Sequence, residues 1–257
     1  RVTFVGAGPG EADLITLRGY RAIQRADVVL YDNLIDHTLM DESDAEPVYV
    51  GKRCGVHSVT QEKICETLIR YALEGLHVVR LKGGDPSVFG RLGEELEACV
   101  QNSIIFEVIP GVSSAIATSM SAGIPITHRG IADSFTVVTA HKKSEGKELN
   151  LPSYSASSTL VLLMGKSTTL IWQEQLLRND YPPDLPVAFI SRACTQDQKV
   201  VVGTLEGALE LSREPQVKTP STVVVGEVVR LHDRYSWFEA DQESMDAGFN
   251  LFLEATP

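Results

Sequence analysis

Charged residues are concentrated directly after one apolar run of the chain. Residues 78–81 (VVRL) predict a buried strand, which ends at Gly83-Gly84-Asp85-Pro86, and a helix is predicted to begin near Arg91. Two adjacent glycines allow positive φ angles and a close approach of the backbone to a ligand. The charged side chains of this loop and helix start are Asp85, Arg91, Glu94 and Glu95. This is far more charge than a plain connection needs and suits a ligand site, although a tight turn before a solvated helix would produce the same GGDP sequence.

The same arrangement recurs through the first half of the chain. Short apolar strands alternate with amphipathic helices, which predicts a parallel sheet covered on both faces. Each marked turn follows a predicted strand: residues 6–10 (GAGPG), Asp32, residues 51–53 (GKR), 83–86 (GGDP) and 110–114 (PGVSS). In a parallel sheet the carboxyl ends of the strands meet at one edge, where the ligands of open α/β folds bind. We therefore expect these turns to form one rim.

A second α/β lobe is predicted after the segment Gly123–Gly130 (GIPITHRG). Strands are expected near residues 135–140, 159–164, 187–191, 199–203 and 222–226, with helices near 167–179 and 205–213. Short turns separate the later strands, so this second sheet should be mixed. The fold class is thus α/β, with two lobes and a cleft between them. The predicted domains are residues 1–125, residues 126–240 and a peripheral acidic tail at 241–257.

Composition narrows the classes of function. The 257 residues carry a net charge of −11, which disfavours nucleic acid as a partner. The four cysteines contain no CxxC pair and the six histidines no HExxH spacing, so we expect a reducing compartment and no metal. No apolar run reaches the roughly 18 residues of a membrane span, and a strand follows Arg1 with no signal peptide. These features predict a cytoplasmic protein with no membrane partner.

The first glycine-rich turn, GAGPG, is similar to the turn of a dinucleotide-binding Rossmann fold. The fit is imperfect, because Pro9 removes a backbone N–H where a pyrophosphate needs donors and the pattern is GxGPG, not GxGxxG. Asp32 also lies somewhat late, 24 residues after Gly8. No GxxxxGK[ST] segment occurs, which disfavours a P-loop nucleotidase. An NAD(P) oxidoreductase therefore stays a minor alternative.

Basic side chains accumulate beside these turns despite the acidic total. Any one of them alone would ordinarily be a solvated surface charge. As a set placed next to strand ends, they favour a polyanionic substrate held by pairs between cations and carboxylates. The set comprises Lys52, Arg53, Lys82, Arg91, His128, Arg129, His141, Lys142, Lys143, Lys166 and Arg192.

Two long segments carry a resemblance to a known family. Residues 2–35 (VTFVGAGPGEADLITLRGYRAIQRADVVLYDNLI) and 78–97 (VVRLKGGDPSVFGRLGEELE) closely resemble the two signatures of the uroporphyrinogen-III C-methyltransferases. These enzymes are the siroheme and cobalamin branch of the S-adenosylmethionine-dependent tetrapyrrole methylases. Shorter segments match in the same order: GKR at 51–53, PGVSSAIA at 110–117, AGIPITHR at 122–129, LLMGK at 162–166 and TPSTVVVGEVV at 219–229. The resemblance covers about residues 2–238.

The resemblance implies a two-lobed tetrapyrrole methylase-like fold, with a mainly parallel N-terminal sheet, a mixed C-terminal sheet and S-adenosylmethionine in the cleft of a homodimer. Asp32 and Lys52 match a proton acceptor and a proton donor. Arg91 matches a residue sometimes proposed as the base, and the substrate-side positions are Arg91, Glu94, His128 and Arg129. The cofactor-contacting positions are Pro9, Gly83, Gly84, Asp85, Val88, Ser113, Ser114, Met164, Ala193, Pro220 and Ser221. Leu92 departs from the usual glycine of the family motif.

The main hypothesis is two successive methylations of uroporphyrinogen III, a polycarboxylate tetrapyrrole, at C2 and C7. The product would be precorrin-2, formed through precorrin-1, for siroheme or cobalamin biosynthesis, and S-adenosylhomocysteine would be released. A sibling methylase acting on a later corrin precursor is one alternative, and diphthine synthase is a weaker one because it modifies a protein. A methylase-like domain that binds without catalysing is the alternative from another class, since a fold alone does not establish function.

Overall fold

The computed structural model describes residues 1–41, 43–51, 60–141 and 148–238. The chain divides into two compact units, Arg1–Ser114 and Ala115–Pro257. Within the described ranges, no helix combines the length and the apolar character needed to cross a membrane.

The first unit contains a five-stranded sheet in which every pair of neighbours is parallel. The strands are β1 (Val2–Gly6), β2 (Val28–Tyr31), β3 (Glu46–Tyr49), β4 (Val78–Lys82) and β5 (Phe106–Ile109). The helices of this unit are α1 (Leu17–Gln24), α2 (Gln61–Leu73) and α3 (Leu92–Gln101), with short 3-10 helices at Ala12–Leu14 and His37–Met40. The strand order is β3-β2-β4-β1-β5.

Helices cover both faces of this sheet. On one face, Ile23 of α1 packs with Val5 and Leu81 of the central strands. On the other face, Leu68 of α2 and Cys99 of α3 join an apolar cluster with other residues of the same strands. The chain therefore leaves β1 toward one face and leaves β4, the strand next to it, toward the other. Such a reversal between neighbouring strands opens a crevice at their carboxyl ends, which is where ligands bind in open α/β sheets.

The sequence carries a local signal at each end of α2: Thr60 is a predicted N-cap and Gly75 a predicted C-terminal glycine. The Thr60 hydroxyl accepts a hydrogen bond from the backbone N–H of Lys63, which satisfies one of the unpaired donors at the start of the helix. Gly75 follows the helix with a φ of +88°, the left-handed conformation that commonly ends helices. The prediction of a cap at each end is confirmed.

The second unit contains a mixed five-stranded sheet of order β6-β7-β10-β8-β9. Its strands are β6 (Ser134–Thr139), β7 (Ser158–Leu163), β8 (Pro186–Ser191), β9 (Lys199–Thr204) and β10 (Ser221–Val225). Only the β6–β7 pair is parallel within this described sheet. The helices are α4 (Ser114–Ser121), α5 (Thr169–Arg178), α6 (Ala208–Arg213) and α7 (His232–Tyr235), with 3-10 helices at Lys166–Thr168 and Glu227–Leu231. The predicted mixed sheet is confirmed.

Helix α4 makes its hydrogen bonds outside the first sheet. The Ser121 hydroxyl donates to the Gln198 side chain at 2.7 Å, and the Trp237 indole donates to the Met120 carbonyl at 3.2 Å. These contacts explain why the division of the chain falls at Ser114, before α4. The sequence-based boundary lies after α4, at 125/126, and the domain limits remain a prediction, with the tail at 241–257 outside the described residues.

Candidate functional site

Three glycines from three different loops meet at the carboxyl edge of the first sheet. Gly6 ends β1, Gly84 follows β4, and Gly111 follows β5. A Cβ on Gly6 would lie 2.6 Å from the Gly111 Cα and 2.7 Å from the Gly84 carbonyl oxygen. A Cβ on Gly111 would overlap that same carbonyl oxygen. A side chain at Gly6 or Gly111 would force the loops apart, so close backbone contact requires glycine at these two positions.

The loops after β1 and β4 are hydrogen-bonded to each other. Gly8 and Gly84 exchange backbone hydrogen bonds of 3.3 and 2.6 Å in an isolated antiparallel bridge. Both residues have positive φ angles, +86° and +66°. Pro9 continues the first loop, and Ser114, at the start of α4, lies close to Gly84, because a Cβ there would approach its backbone nitrogen at 3.6 Å. The structure thus brings Pro9, Gly83, Gly84 and Ser114 to one edge, with Ser113 adjacent in the chain.

Asp85 ties the loop after β4 to the loop after β5. One carboxylate oxygen accepts the backbone N–H of Gly111 at 3.0 Å, and the other accepts the backbone N–H of Ser87 at 2.8 Å and the Ser87 hydroxyl. Partial burial acts to raise the pKa of Asp85, but these hydrogen bonds outweigh it and hold the pKa below its ordinary value. The side chain is therefore an ionised clamp inside the glycine-rich edge.

The segment from Pro86 to Arg91 is a tight loop with two non-glycine residues in the left-handed region. Phe89 has a φ of +52° and Arg91 a φ of +56°. A Cβ on Gly90 would lie 2.5 Å from the Pro86 carbonyl oxygen, so the chain doubles back on itself here. Val88 donates its backbone N–H to Asp85, which places it within this loop. Left-handed backbone at non-glycine residues is costly and is enriched at ligand-binding positions.

Arg91 and Glu94 form an exposed bidentate ion pair at the start of α3. The Arg91 Nε and Nη2 atoms donate to the two Glu94 carboxylate oxygens at 2.8 and 2.6 Å. The guanidinium is about half exposed, and the hydrogen bond to Glu94 raises the pKa of Arg91 above its ordinary value. A cation held in this way is suited to binding carboxylates, because it stays charged at every accessible pH.

Asp32 lies at the carboxyl end of β2 and is held by two donors. Its Oδ1 accepts the backbone N–H of Leu34 at 3.0 Å, and its Oδ2 accepts Nη2 of Arg80 at 3.2 Å. Arg80 is buried in β4 and also donates its Nε to Glu95 at 3.1 Å. Glu95, which is completely buried, binds Nζ of Lys82 at 2.8 Å as well. The predicted proton acceptor thus belongs to a network of two cations and two anions.

The position of Lys82 contradicts one expectation from the sequence. It was expected among the basic side chains available to a substrate, but it is buried and paired with Glu95. Burial, followed by the nearby Arg80 cation, lowers the pKa of Lys82 from its ordinary value. The reason is its place in β4, where Val78, Arg80 and Lys82 share the face covered by α2 and α3. The sequence reasoning did not single out Arg80, although two cations on one face of a central strand were a signal that a buried acid must meet them.

Four predicted cofactor positions lie at one edge of the second sheet. Met164 follows β7, Ala193 follows β8, and Pro220 and Ser221 stand at the start of the antiparallel strand β10. Met164 has a φ of +59° although it is not a glycine. The buried Ser221 hydroxyl has no hydrogen-bond partner among the described residues. An unpaired buried hydroxyl is costly, which makes this position suited to a polar ligand atom.

Two other predicted residues do not lie at this edge of the second sheet. His128 and Arg129 lie in the turn before β6, where the His128 backbone N–H bonds the Ala132 carbonyl at 2.9 Å. This turn precedes the amino end of β6, whereas Met164 follows the carboxyl end of β7, the parallel neighbour. Lys52 lies outside the described residues. Within the described residues, no group of three or more His, Cys, Asp or Glu side chains could hold a metal ion.

The match to a family model decides the family. The model of tetrapyrrole (corrin/porphyrin) methylases matches residues 1–209, most of the chain. The chain belongs to this family. It is therefore a methyltransferase with the α/β tetrapyrrole methylase fold, as its resemblance to the family predicted. The two sheets, one parallel and one mixed, are those of this fold.

Solved and curated relatives agree with the family. This tetrapyrrole methylase is similar to the uroporphyrin-III-C-methyltransferase of Thermus thermophilus, with 39% identity, coverage of 92% of this chain and 96% of the other, and a TM-score of 0.78. The Thermus enzyme complexed with S-adenosyl homocysteine matches at 40% identity over 90% and 99% of the two chains, also at a TM-score of 0.78. A siroheme synthase of Psychromonas ingrahamii is 44% identical over 94% of this chain. The chain spans about half, 52%, of that relative's length.

Proposed function

We propose that this methyltransferase transfers methyl groups from S-adenosylmethionine to C2 and then C7 of uroporphyrinogen III. The product would be precorrin-2, formed through precorrin-1, as a precursor of siroheme or cobalamin. The observation that carries the proposal is the match to the Thermus enzyme over 96% of that enzyme's length, with 39% identity. The chain's own glycine-rich edge and its Asp32 supply a binding region and a base that fit such a reaction.

The residues of the glycine-rich edge fit a sulfonium cofactor. When bound, S-adenosylmethionine would supply an electrophilic methyl group on a positively charged sulfur. A Cβ on Gly84 would make only ordinary contacts, so the Gly84 backbone can approach such a ligand closely beside the ionised Asp85 clamp. The proposed contacts of the first unit are Pro9, Gly83, Gly84, Asp85, Val88, Ser113 and Ser114. In the second unit, the unpaired Ser221 hydroxyl supports the proposed contacts Met164, Ala193, Pro220 and Ser221.

Asp32 is the proposed base. Methylation of a pyrrole carbon leaves a cationic ring system that must lose a proton, and a carboxylate within hydrogen-bond reach can accept it. The Asp32 carboxylate accepts one hydrogen bond at each oxygen and retains lone pairs for a further proton. We assign Lys52 as proton donor by its match to the family motif. Arg91 is half exposed and its pKa is raised, which suits a substrate clamp better than a base.

The substrate carries acidic side chains, while the protein is acidic overall. With a net charge of −11, long-range attraction cannot gather such a substrate, so local cations must hold it. We propose that Arg91, positioned by Glu94, takes this role together with His128 and Arg129. We further propose that the protein is a cytoplasmic homodimer. Size-exclusion chromatography with light scattering would test the oligomeric state.

The experiment compares methyl acceptors under anaerobic conditions. S-adenosylhomocysteine release is followed with uroporphyrinogen III, with a later corrin precursor, and with no acceptor. Fast release with uroporphyrinogen III alone supports the proposal. Release with the later precursor only would indicate that the protein is a sibling methylase that acts on that precursor. Tight S-adenosylhomocysteine binding with no release for either acceptor would indicate a binding module, and thermal protection by NADP instead would favour an oxidoreductase.

A further inference from the structure

We infer that Arg80 is a positioning residue for Asp32 and that Glu95 holds Arg80 in place. The inference rests on the proposed function, in which Asp32 accepts the proton. Arg80 lies in β4, on the face covered by α2 and α3. Glu95 lies in α3, and Asp32 follows β2. Arg80 itself was assigned no role from the sequence.

Arg80 is fixed by hydrogen bonds in several directions. Its Nη1 donates to the Leu81 carbonyl at 2.8 Å and to the Leu30 carbonyl at 3.4 Å, which links β4 to β2. Its Nε donates to Glu95, and its Nη2 donates to Asp32. The planar guanidinium can serve these acceptors together because its donors have a rigid, forked arrangement, which an ammonium group lacks. Arg80 is therefore rigid at the atom that meets Asp32.

Glu95 is the residue that fixes the other end of this guanidinium. Its side chain has no solvent exposure and accepts hydrogen bonds from Arg80 and Gln61 at Oε1 and from Lys82 at Oε2. The two cations, Arg80 and Lys82, balance the two anions, Asp32 and Glu95. The cluster is thus neutral as a whole, and removing one charge would leave another buried and unpaired.

Three of the four side chains in this network are buried, and the fourth is partly exposed. The side chains of Arg80, Lys82 and Glu95 are 4%, 6% and 0% exposed, whereas that of Asp32 is 26% exposed. The cluster therefore meets solvent mainly at the Asp32 carboxylate. Apolar residues of similar volume would often stabilise a core at least as well as buried ions do, so fold stability alone gives little reason for this cluster. Holding the Asp32 carboxylate in a fixed orientation is a better reason for the cluster.

Fixing Asp32 matters because proton removal depends on geometry. A base must lie within hydrogen-bond reach of the proton that it takes, and a misplacement of about 1 Å can cost about 100-fold in rate. The Leu34 N–H and the Arg80 guanidinium hold the two oxygens of one carboxylate from different sides. Together they stop the carboxylate from rotating, while a lone pair on each oxygen stays available.

A double-mutant cycle tests the inference in the full chain. Single-turnover methylation of uroporphyrinogen III is measured for the wild type, Asp32→Ala, Arg80→Met and the double variant. We expect Arg80→Met to slow methylation by about tenfold to 100-fold, with the Kd of S-adenosylhomocysteine unchanged. In the Asp32→Ala background the same substitution should have an effect of about twofold or less, because a positioning residue acts through its partner. Arg80→Lys should recover only part of the rate.

A second pair of variants covers the case in which Arg80→Met does not fold. Arg80→Met combined with Glu95→Gln keeps the cluster neutral, with Lys82 and Asp32 as the remaining charges, so it should fold and yet stay slow. Gln173→Met is the matched control, because Gln173 is buried and bonds the Leu205 and Glu206 carbonyls far along the chain. It should lower stability and give no coupling to Asp32.

The outcomes separate this inference from the proposed function. A loss of equal size in the wild-type and Asp32→Ala backgrounds would overturn the inference, because Arg80 would then act independently of Asp32. Full recovery of the rate in the neutral double variant would also overturn it, since the role would be one of charge balance alone. An unimpaired Asp32→Ala would remove Asp32 as the base and overturn this inference with it, while the proposed function would stand. No methylation by the wild type would instead overturn the proposed function.

Discussion

The carboxylate of Asp85 accepts a hydrogen bond from the backbone N–H of Gly111 at 3.0 Å, across the loops that follow β4 and β5. β4 and β5 lie on either side of β1 in the sheet, and the loops that follow them meet beyond the end of β1, where Gly84 and Gly111 are in contact. The side chain thus joins two of the three loops whose glycines are in contact. The Asp85 side chain of the GGDP segment therefore helps to hold the loops of the proposed cofactor site in place.

Removing the clamp should weaken cofactor binding. We expect Asp85→Ala to lower the free energy of unfolding by about 1–3 kcal/mol, since it removes hydrogen bonds to a charged, partly buried group. The Kd of S-adenosylhomocysteine should rise about tenfold or more because the two loops lose their alignment. Titration calorimetry and urea denaturation measure both quantities. Gly75→Ala is the control: its left-handed φ of +88° should cost about 1–2 kcal/mol without changing the Kd.

The Asp85 clamp should also make the free energy of unfolding depend on pH in the acid range. The pKa of Asp85 is lower in the folded chain than its ordinary value of 3.8. A group of this kind stabilises the fold fully above its unfolded pKa and loses that contribution as the pH falls through the folded pKa. The stability difference between wild type and Asp85→Asn should therefore be constant from neutral pH down to about pH 5 and shrink below about pH 4. A difference that grows on acidification would contradict this sign.

The contact among the three glycines should not tolerate a methyl group. A Cβ on Gly111 would overlap the Gly84 carbonyl, so Gly111→Ala should destabilise the chain by about 1–3 kcal/mol and abolish measurable S-adenosylhomocysteine binding. Gly93→Ala is the matched control in α3, because a Cβ there meets nothing within 4 Å. It should be neutral or stabilising by up to about 1 kcal/mol. Equal behaviour of the two variants in thermal unfolding and calorimetry would refute the proposed close packing.

Arg91 should affect the substrate and not the cofactor. We expect Arg91→Ala to raise the KM for uroporphyrinogen III about tenfold or more, which corresponds to the loss of one charge-assisted contact, with the Kd of S-adenosylhomocysteine unchanged. Stability should change little, since the Arg91–Glu94 pair is exposed. Arg230→Ala is the control, because Arg230 forms a similar exposed pair with Glu227 three residues away. A fall in kcat at constant KM would assign Arg91 to the chemical step instead.

The arrangement of the first sheet could be predicted because its signals are local. The apolar run before GGDP and the cap residues Thr60 and Gly75 mark where strand and helix end. Parallel geometry then brings the loops to one edge. Strand boundaries are harder to predict where the neighbouring strand decides them. The apolar run Val48–Val50 predicts a third strand at those residues, but β3 is Glu46–Tyr49, because Glu46 and Pro47 pair with residues of β2.

The charge network could not be predicted in the same way. Arg80 and Lys82 on one face of β4 indicate that an acid must meet them, but Glu95 has the sequence character of an exposed helix start and does not show that it is this acid. Only the packing of α3 on β4 shows that the three are buried together. The role of a charged residue thus depends on a partner more than ten positions away, which periodicity does not reveal.

The mass of the tetrapyrrole after anaerobic incubation with uroporphyrinogen III and S-adenosylmethionine tests the central claim most directly. We expect a species with one added methyl group early and a species with two at completion, with two equivalents of S-adenosylhomocysteine released. A final gain of one methyl group would contradict the two-step reaction. No gain, with the cofactor bound, would contradict uroporphyrinogen III as the substrate.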